Sequence, residues 1–264
     1  MAIANSLAFL LYLSCSVILI RNFVQRNQQS TISFPVGITT VLALIFHGVD
    51  IFLTMKDGWD LSLFSTLTIA AWLMAFIALI LGARQKYAHP GIIIYPLVAL
   101  SLILKTSVHS EPTIRLANPA LEWHILLSLA AYSLFTLAAL QAIVLAIQEQ
   151  QLRQRHLVGL ARKLPPLQSM ETTLFQLIAA GFILLTLGLT TGLFFIEDIF
   201  AQHLIHKTIL SLIAWCVFAT LLQGRIRYGW RGKTAIKWTL VGFIFLVFAY
   251  FGSKFVLEFL ITHA

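Results

Sequence analysis

Eight apolar stretches follow one another through this chain, each near the length of a bilayer crossing. They cover about 3–20, 36–54, 62–82, 91–105, 123–147, 173–195, 206–223 and 235–260, and the fourth is the shortest. A hydrocarbon core about 30 Å thick needs about 20 apolar residues in helical form. Lipid offers no hydrogen bonds, so a spanning segment must satisfy its own backbone, which a helix does. The pattern therefore predicts an all-α fold: a polytopic membrane helix bundle of about eight transmembrane helices. Composition agrees, with 59% hydrophobic and 11% charged residues, where a soluble domain averages about a quarter charged. Mean hydropathy is +0.89.

The links leave no room for a soluble domain. The longest, about 106–122 and 148–171, are too short to fold alone, so 1–264 reads as a single integral membrane domain. No internal repeat or low-complexity tract interrupts it. The stretch "LPPLQ" reads as a turn before the sixth helix, because Pro165 and Pro166 stop a helix arriving from the fifth. The first stretch reads as a mature helix rather than a cleaved signal: "MAIAN" carries no lysine or arginine, and Arg21 and Arg26 come after it.

The basic residues fall in alternate links, and that sets an orientation. One set of links holds Arg21 and Arg26, then Arg84 and Lys86, then Arg153, Arg155, Arg162 and Lys163, then Arg225, Arg227, Arg231, Lys233 and Lys237. Only Lys56, Lys105, Arg115, Lys207 and Lys254 fall on the other face. The positive-inside rule then places both termini outside. The net charge of +8 is a topological signal on this reading, and no nucleic-acid partner is expected. Cys15 and Cys216 lie inside apolar runs and form no CxxC pair, so they read as buried thiols.

Ionisable groups at membrane depth are functional candidates, because lipid penalises them. His47 lies in the second stretch with Asp50 three residues on, on one helical face. A carboxylate there can fix an imidazole tautomer; a buried pair that only joins helices is the structural alternative. His124 opens the fifth stretch beside Trp123, and Ser128 and Tyr132 continue one polar stripe inward. An interfacial Trp-His belt would look the same. His203 and His206 share a face at the next outer link, with Glu197 and Asp198 nearby. Two histidines from different helices, His124 and His206, could hold an iron porphyrin axially among aromatic walls. The six Trp, six Tyr and twenty Phe supply such walls. His89, His109, His156 and His263 lie in links or at the terminus and read as solvated.

Two passages, "HILLSLAAYSLFTLAALQAIVLAIQEQQLR" and "HKTILSLIAWCVFATLLQGRIRYGWRGKTAIKWTLVGFIFLVFAYFGSKFVLEFL", resemble the cytochrome c assembly family of haem-handling membrane proteins. The likeness is to the shorter HemX/YpjD-like branch, and it is clearest over about 120–260. Its most specific piece is "GWRG" followed by a helix ending "AYFGSKF". The resemblance implies a bacterial inner-membrane protein with periplasmic termini, and haem b as cofactor. It implies that His124 is an axial ligand or haem contact. The family's Trp-rich WWD loop is missing here; Trp215 alone has a counterpart. Gln223 stands where the synthases place a histidine near the inner end of this helix, and His263 is the counterpart of a second outer histidine.

The cofactor-binding candidates are therefore His124, His206, His47, Asp50, Trp215, Tyr132 and Ser128, with His124 and His206 toward the haem iron. The function expected is haem trafficking or cytochrome c assembly. The alternatives are a scaffold or regulator of a haem-biosynthesis or other membrane enzyme, and a small transporter with a His47/Asp50 relay. The expected partners are the lipid bilayer, haem, and cytochrome c maturation or haem-biosynthesis proteins. No GxSxG, P-loop or paired-carboxylate constellation occurs, so an enzymatic activity of its own is not expected.

Overall fold

The computed structural model describes residues 2–24, 34–56, 58–84, 90–107, 119–154, 164–195 and 202–252. Eight α-helices account for nearly all of them: α1 (Ala2–Val24), α2 (Phe34–Met55), α3 (Leu63–Arg84), α4 (Gly91–Ser107), α5 (Pro119–Arg153), α6 (Leu167–Phe195), α7 (Gln202–Tyr228) and α8 (Gly232–Val247). A π-helical turn, Phe248–Gly252, continues α8. Seven of the helices are long and apolar enough to cross a membrane, and α4 is a shorter apolar helix of 17 residues with Pro96 inside it. The chain is a polytopic helical membrane protein.

Several helices outrun their apolar stretches. α5 has 35 residues, about 50 Å of rise, well beyond a hydrocarbon core. Its polar last turns stay helical, with Arg153 bonded to Glu149 at 3.1 Å one turn earlier. α6 begins at Leu167, just past the two prolines, and the Pro166 carbonyl accepts from the N–H groups of Ser169 and Met170. Hydroxyls inside the spans satisfy themselves locally: Thr40, Thr66, Thr186 and Thr239 each donate to the carbonyl four residues back.

The chain divides into two compact units, one holding α1–α4 and the other α5–α8. In the first, α1 packs on α2 and α4, and α3 lies against α4 and α2. Ala43, Ala71, Ala75 and Ala78 are fully buried there, small residues that let helices approach closely where lipid gives no hydrophobic drive. In the second, α5 packs on α6 and α8, and α7 on α6 and α8. Its centre is a stacked pair, Phe135 and Phe218, with ring centroids 3.9 Å apart. Those rings need glycines opposite: a Cβ on Gly181 would lie 3.1 Å from Phe135, and one on Gly242 would lie 2.7 Å from Phe218.

The "YGWRG" turn joins α7 to α8. Gly229 takes φ 66° and Gly232 φ 51°, the left-handed region that costs an L side chain energy. The Gly229 N–H donates to the Arg225 carbonyl and the Trp230 N–H to the Gly224 carbonyl. Glu171 accepts from the Gly232 N–H at 2.8 Å, so a carboxylate on α6 meets the positive end of α8. The Trp230 ring folds over Gly224, where a Cβ would lie 2.3 Å from it.

Candidate functional site

Among the described side chains there are two histidines, one in each unit. His124, on the second turn of α5, is half-buried against α6. Its Nδ1 lies 2.8 Å from the Gly188 carbonyl and 3.3 Å from the Thr191 hydroxyl. A carbonyl can only accept, so Nδ1 carries the proton and donates. The neutral ring then keeps its lone pair on Nε2, which makes no hydrogen bond among the described residues. Gly192 completes the cradle, since a Cβ there would stand 2.9 Å from His124 Cε1.

The rest of the predicted stripe follows α5 inward. Ser128 faces Gly188, its Oγ 3.3 Å from where a Cβ would lie. Tyr132 is deeper; it shares a hydrogen bond with Ser211 and packs its ring 5.6 Å from that of Tyr250. Trp215 donates from Nε1 to the Thr186 hydroxyl at 2.9 Å and stacks on Phe182 at 5.3 Å. It clamps α7 to α6 two residues before Gly188. His206 lies on α7, but its side chain and that of His203 are outside the described residues, as is His263. Gln223, which the resemblance set at an inner histidine position, is exposed.

In the first unit the structure departs from the expected pair. His47 and Asp50 share a face of α2, but the Asp50 carboxylate is taken by Lys105 of α4, at 2.7 Å. The Lys105 ammonium also donates to the Thr54 hydroxyl at 3.0 Å. An ammonium and a carboxylate that are nearly buried gain more from each other than either gains from a neutral ring. His47 is left 0% exposed, with neither ring nitrogen bonded among the described residues. Its neighbour is Tyr12 of α1, edge-on at 5.8 Å.

Sequence reasoning missed Lys105, Gly188, Thr191 and Gly192. A signal for the last three exists in "GLTTG": two glycines four apart in an apolar helix mark a face open to close approach. Among the described residues no group of three or more His, Cys, Asp or Glu could hold a metal ion. Among its described side chains the second unit offers one imidazole, His124, oriented through one nitrogen and open at the other.

Fold and site together define a polytopic helical membrane protein presenting a tautomer-fixed histidine near one end of its second unit. The chain belongs to the Cytochrome C assembly protein family, whose model matches residues 3–261. The match thus extends through the first unit as well as the 120–260 region where the motifs are densest. The inner membrane protein YpjD of Escherichia coli (strain K12) is 33% identical over 224 residues, covering 83% of this chain and 85% of that protein. Protein HemX of Brevibacillus brevis is 21% identical over 256 residues, 93% of each chain. The cytochrome c biogenesis protein CcsA of Porphyra purpurea is 23% identical over 281 residues, 86% of this chain and 88% of that one. No solved structure matches the chain.

Proposed function

We propose that this protein binds haem b in a bacterial inner membrane and acts in cytochrome c assembly or haem trafficking, with His124 as an axial ligand. The observation that carries the reading is the state of the His124 ring: Nδ1–H is held by the Gly188 carbonyl, which leaves Nε2 as a ligand. Metal-bound histidines are held in this way, with the second nitrogen donating to a carbonyl or carboxylate. The donor set fits a haem iron, which takes axial imidazoles in apolar and aromatic surroundings. His206, on the first turns of α7, is the second ligand in this reading. Ser128, Tyr132 and Trp215 line the approach from α5 and α7. Bound haem supplies the iron and its redox chemistry; the protein supplies an oriented imidazole and a dry wall.

Family membership and the relatives named for cytochrome c biogenesis support the assignment. The alternating basic links support a topology with both termini in the periplasm, and on this reading the start of α5, with His124, lies on the outer side. A lipid bilayer and haem are the expected surroundings in this reading, with cytochrome c maturation or haem-biosynthesis proteins as partners.

The test is an absorption spectrum of detergent-purified protein, oxidised and dithionite-reduced, beside His124→Ala and His206→Ala. A Soret band with split α and β bands on reduction, lost in both variants, is the expected result. A colourless protein that also fails to take up added haemin would sink the reading.

A further inference from the structure

The first unit holds a second polar feature that the haem reading does not use. Among the described residues, Nδ1 and Nε2 of His47, the Tyr12 hydroxyl and Oδ1 of Asn5 are buried polar atoms with no hydrogen-bond partner. Their residues are buried, with His47 and Tyr12 at 0% and Asn5 at 7% exposure. They come from α1 and α2, which pack together. His47 and Tyr12 face each other with ring centroids 5.8 Å apart.

Helical geometry orders these groups into a file. Asn5 lies about two turns before Tyr12 on the same face of α1, and its amide donates to the Leu102 carbonyl of α4. Asp50 lies about one turn beyond His47 on α2 and pairs with Lys105, about one turn beyond Leu102 on α4. Tyr95 of α4 packs its ring 5.8 Å from that of Tyr12. One turn deeper along α1, Cys15 meets the hydroxyls of Thr39 and Thr40. The Asp50–Lys105 pair is at the mouth of this file: the lysine side chain is 13% exposed, the aspartate 3%.

Orphaned polar atoms in a core are costly. Here a carbonyl oxygen that can only accept sits in the same file as a phenol that can donate and accept and an imidazole that must do one at each nitrogen. A partner that serves all of them has to donate and accept at once and has to be small. Water meets that description, and internal waters typically make two to four hydrogen bonds to groups of this kind. An apolar ligand does not meet it.

We propose that the core of the first unit is a hydrated polar site, in which water enters past the Asp50–Lys105 pair and is held between His47 and Tyr12. The site gives the aqueous phase, and protons carried by water, access to an imidazole at membrane depth. Lys105 keeps Asp50 from closing on His47, so the imidazole stays open to the water.

The experiment is water-edited solid-state NMR on the full chain in lipid vesicles, with histidine, tyrosine and phenylalanine labelled. His47→Gln and Tyr12→Phe identify the two signals by difference. The expected result is magnetisation transfer from water to the His47 ring and Tyr12 several-fold faster than to Phe135 in the dry centre of the second unit. Transfer as slow as to Phe135 would overturn the proposal. A second measurement does not depend on assignment: the melting temperature of Tyr12→Phe. Removing a hydroxyl that bonds water lowers it. Removing a hydroxyl left dry raises it or leaves it unchanged, and either of those results also overturns the proposal. Neither readout involves haem, so the outcome is separate from that of the His124 reading.

Discussion

The two units treat a histidine in opposite ways. His124 is half-buried, with one nitrogen donated to a backbone carbonyl and the other open. His47 is fully buried, with neither nitrogen bonded among the described residues and the carboxylate one turn on taken by a lysine. The difference lies in the helix opposite. α6 brings a glycine pair and a threonine to His124, so backbone carbonyl and hydroxyl are within reach. The helix facing His47 brings the Tyr12 ring, and the charged pair one turn away is already closed on itself. An oriented imidazole with an open nitrogen is equipped to ligate; an unoriented one in a polar file is equipped to meet solvent.

The sharpest way to break the contrast is a pair of matched substitutions. His124→Ala is expected to abolish the Soret band of haem-loaded protein, because it removes the ligand outright. His47→Ala is expected to leave the band in place. Loss of the band in His47→Ala with retention in His124→Ala would reverse the roles assigned to the two units.

The next effect belongs to the pair that separates Asp50 from His47. Lys105→Met alone or Asp50→Leu alone leaves one nearly buried charge without its partner. Each is expected to destabilise the protein by roughly 3–5 kcal/mol, read from denaturation in mixed micelles. The double variant is expected to recover most of that loss, since an apolar pair of similar volume replaces the ion pair. Equal losses in single and double variants would show that the pair does not interact as its 2.7 Å separation implies.

That pair also shows what could be read without a structure. The eight helices, seven of them long and apolar enough to cross a membrane, were legible because lipid imposes a length and a composition on each helix separately, and each helix answers alone. The polar stripe His124, Ser128 and Tyr132 was legible for the same reason, since periodicity along one helix is a local property. The partners were not. Asp50 has a histidine one turn away in sequence and a lysine on another helix, and proximity along the chain favoured the wrong one. Both charges are isolated in apolar helices, and that isolation was the available hint that they meet. The cradle of His124 was hidden because a backbone carbonyl has no sequence signature, and only the absence of side chains at Gly188 and Gly192 marks it. The helix ends were misjudged for a simpler reason: α5 and α6 carry polar turns beyond their apolar stretches, which hydropathy trims and helical hydrogen bonding does not.

A finer test sharpens the account of His124 itself. Gly192→Ala puts a Cβ within 2.9 Å of Cε1, so the ring must move off the Gly188 carbonyl. Thr191→Val removes the second acceptor and leaves the ring in place. Loss of such a supporting contact typically costs about tenfold or more in metal affinity. Both variants are expected to bind haemin more weakly, with Gly192→Ala the more affected. Unchanged titrations in both would mean that the ring's orientation does not matter to the ligand.

The smallest effect expected is at Trp215, and it separates a haem contact from a helix clamp. Its indole donates to Thr186 and stacks on Phe182, which accounts for its burial without any ligand. Trp215→Phe keeps an aromatic ring against Phe182 and loses the hydrogen bond, for a cost of about 1 kcal/mol in stability. If Trp215 serves only to hold α7 against α6, haemin affinity and the reduced spectrum stay unchanged while the melting temperature falls slightly. If its ring also borders the cofactor, the Soret maximum shifts even though His124 and its cradle are untouched. The second result would extend the site from α5 and α6 onto α7, the helix that carries His206.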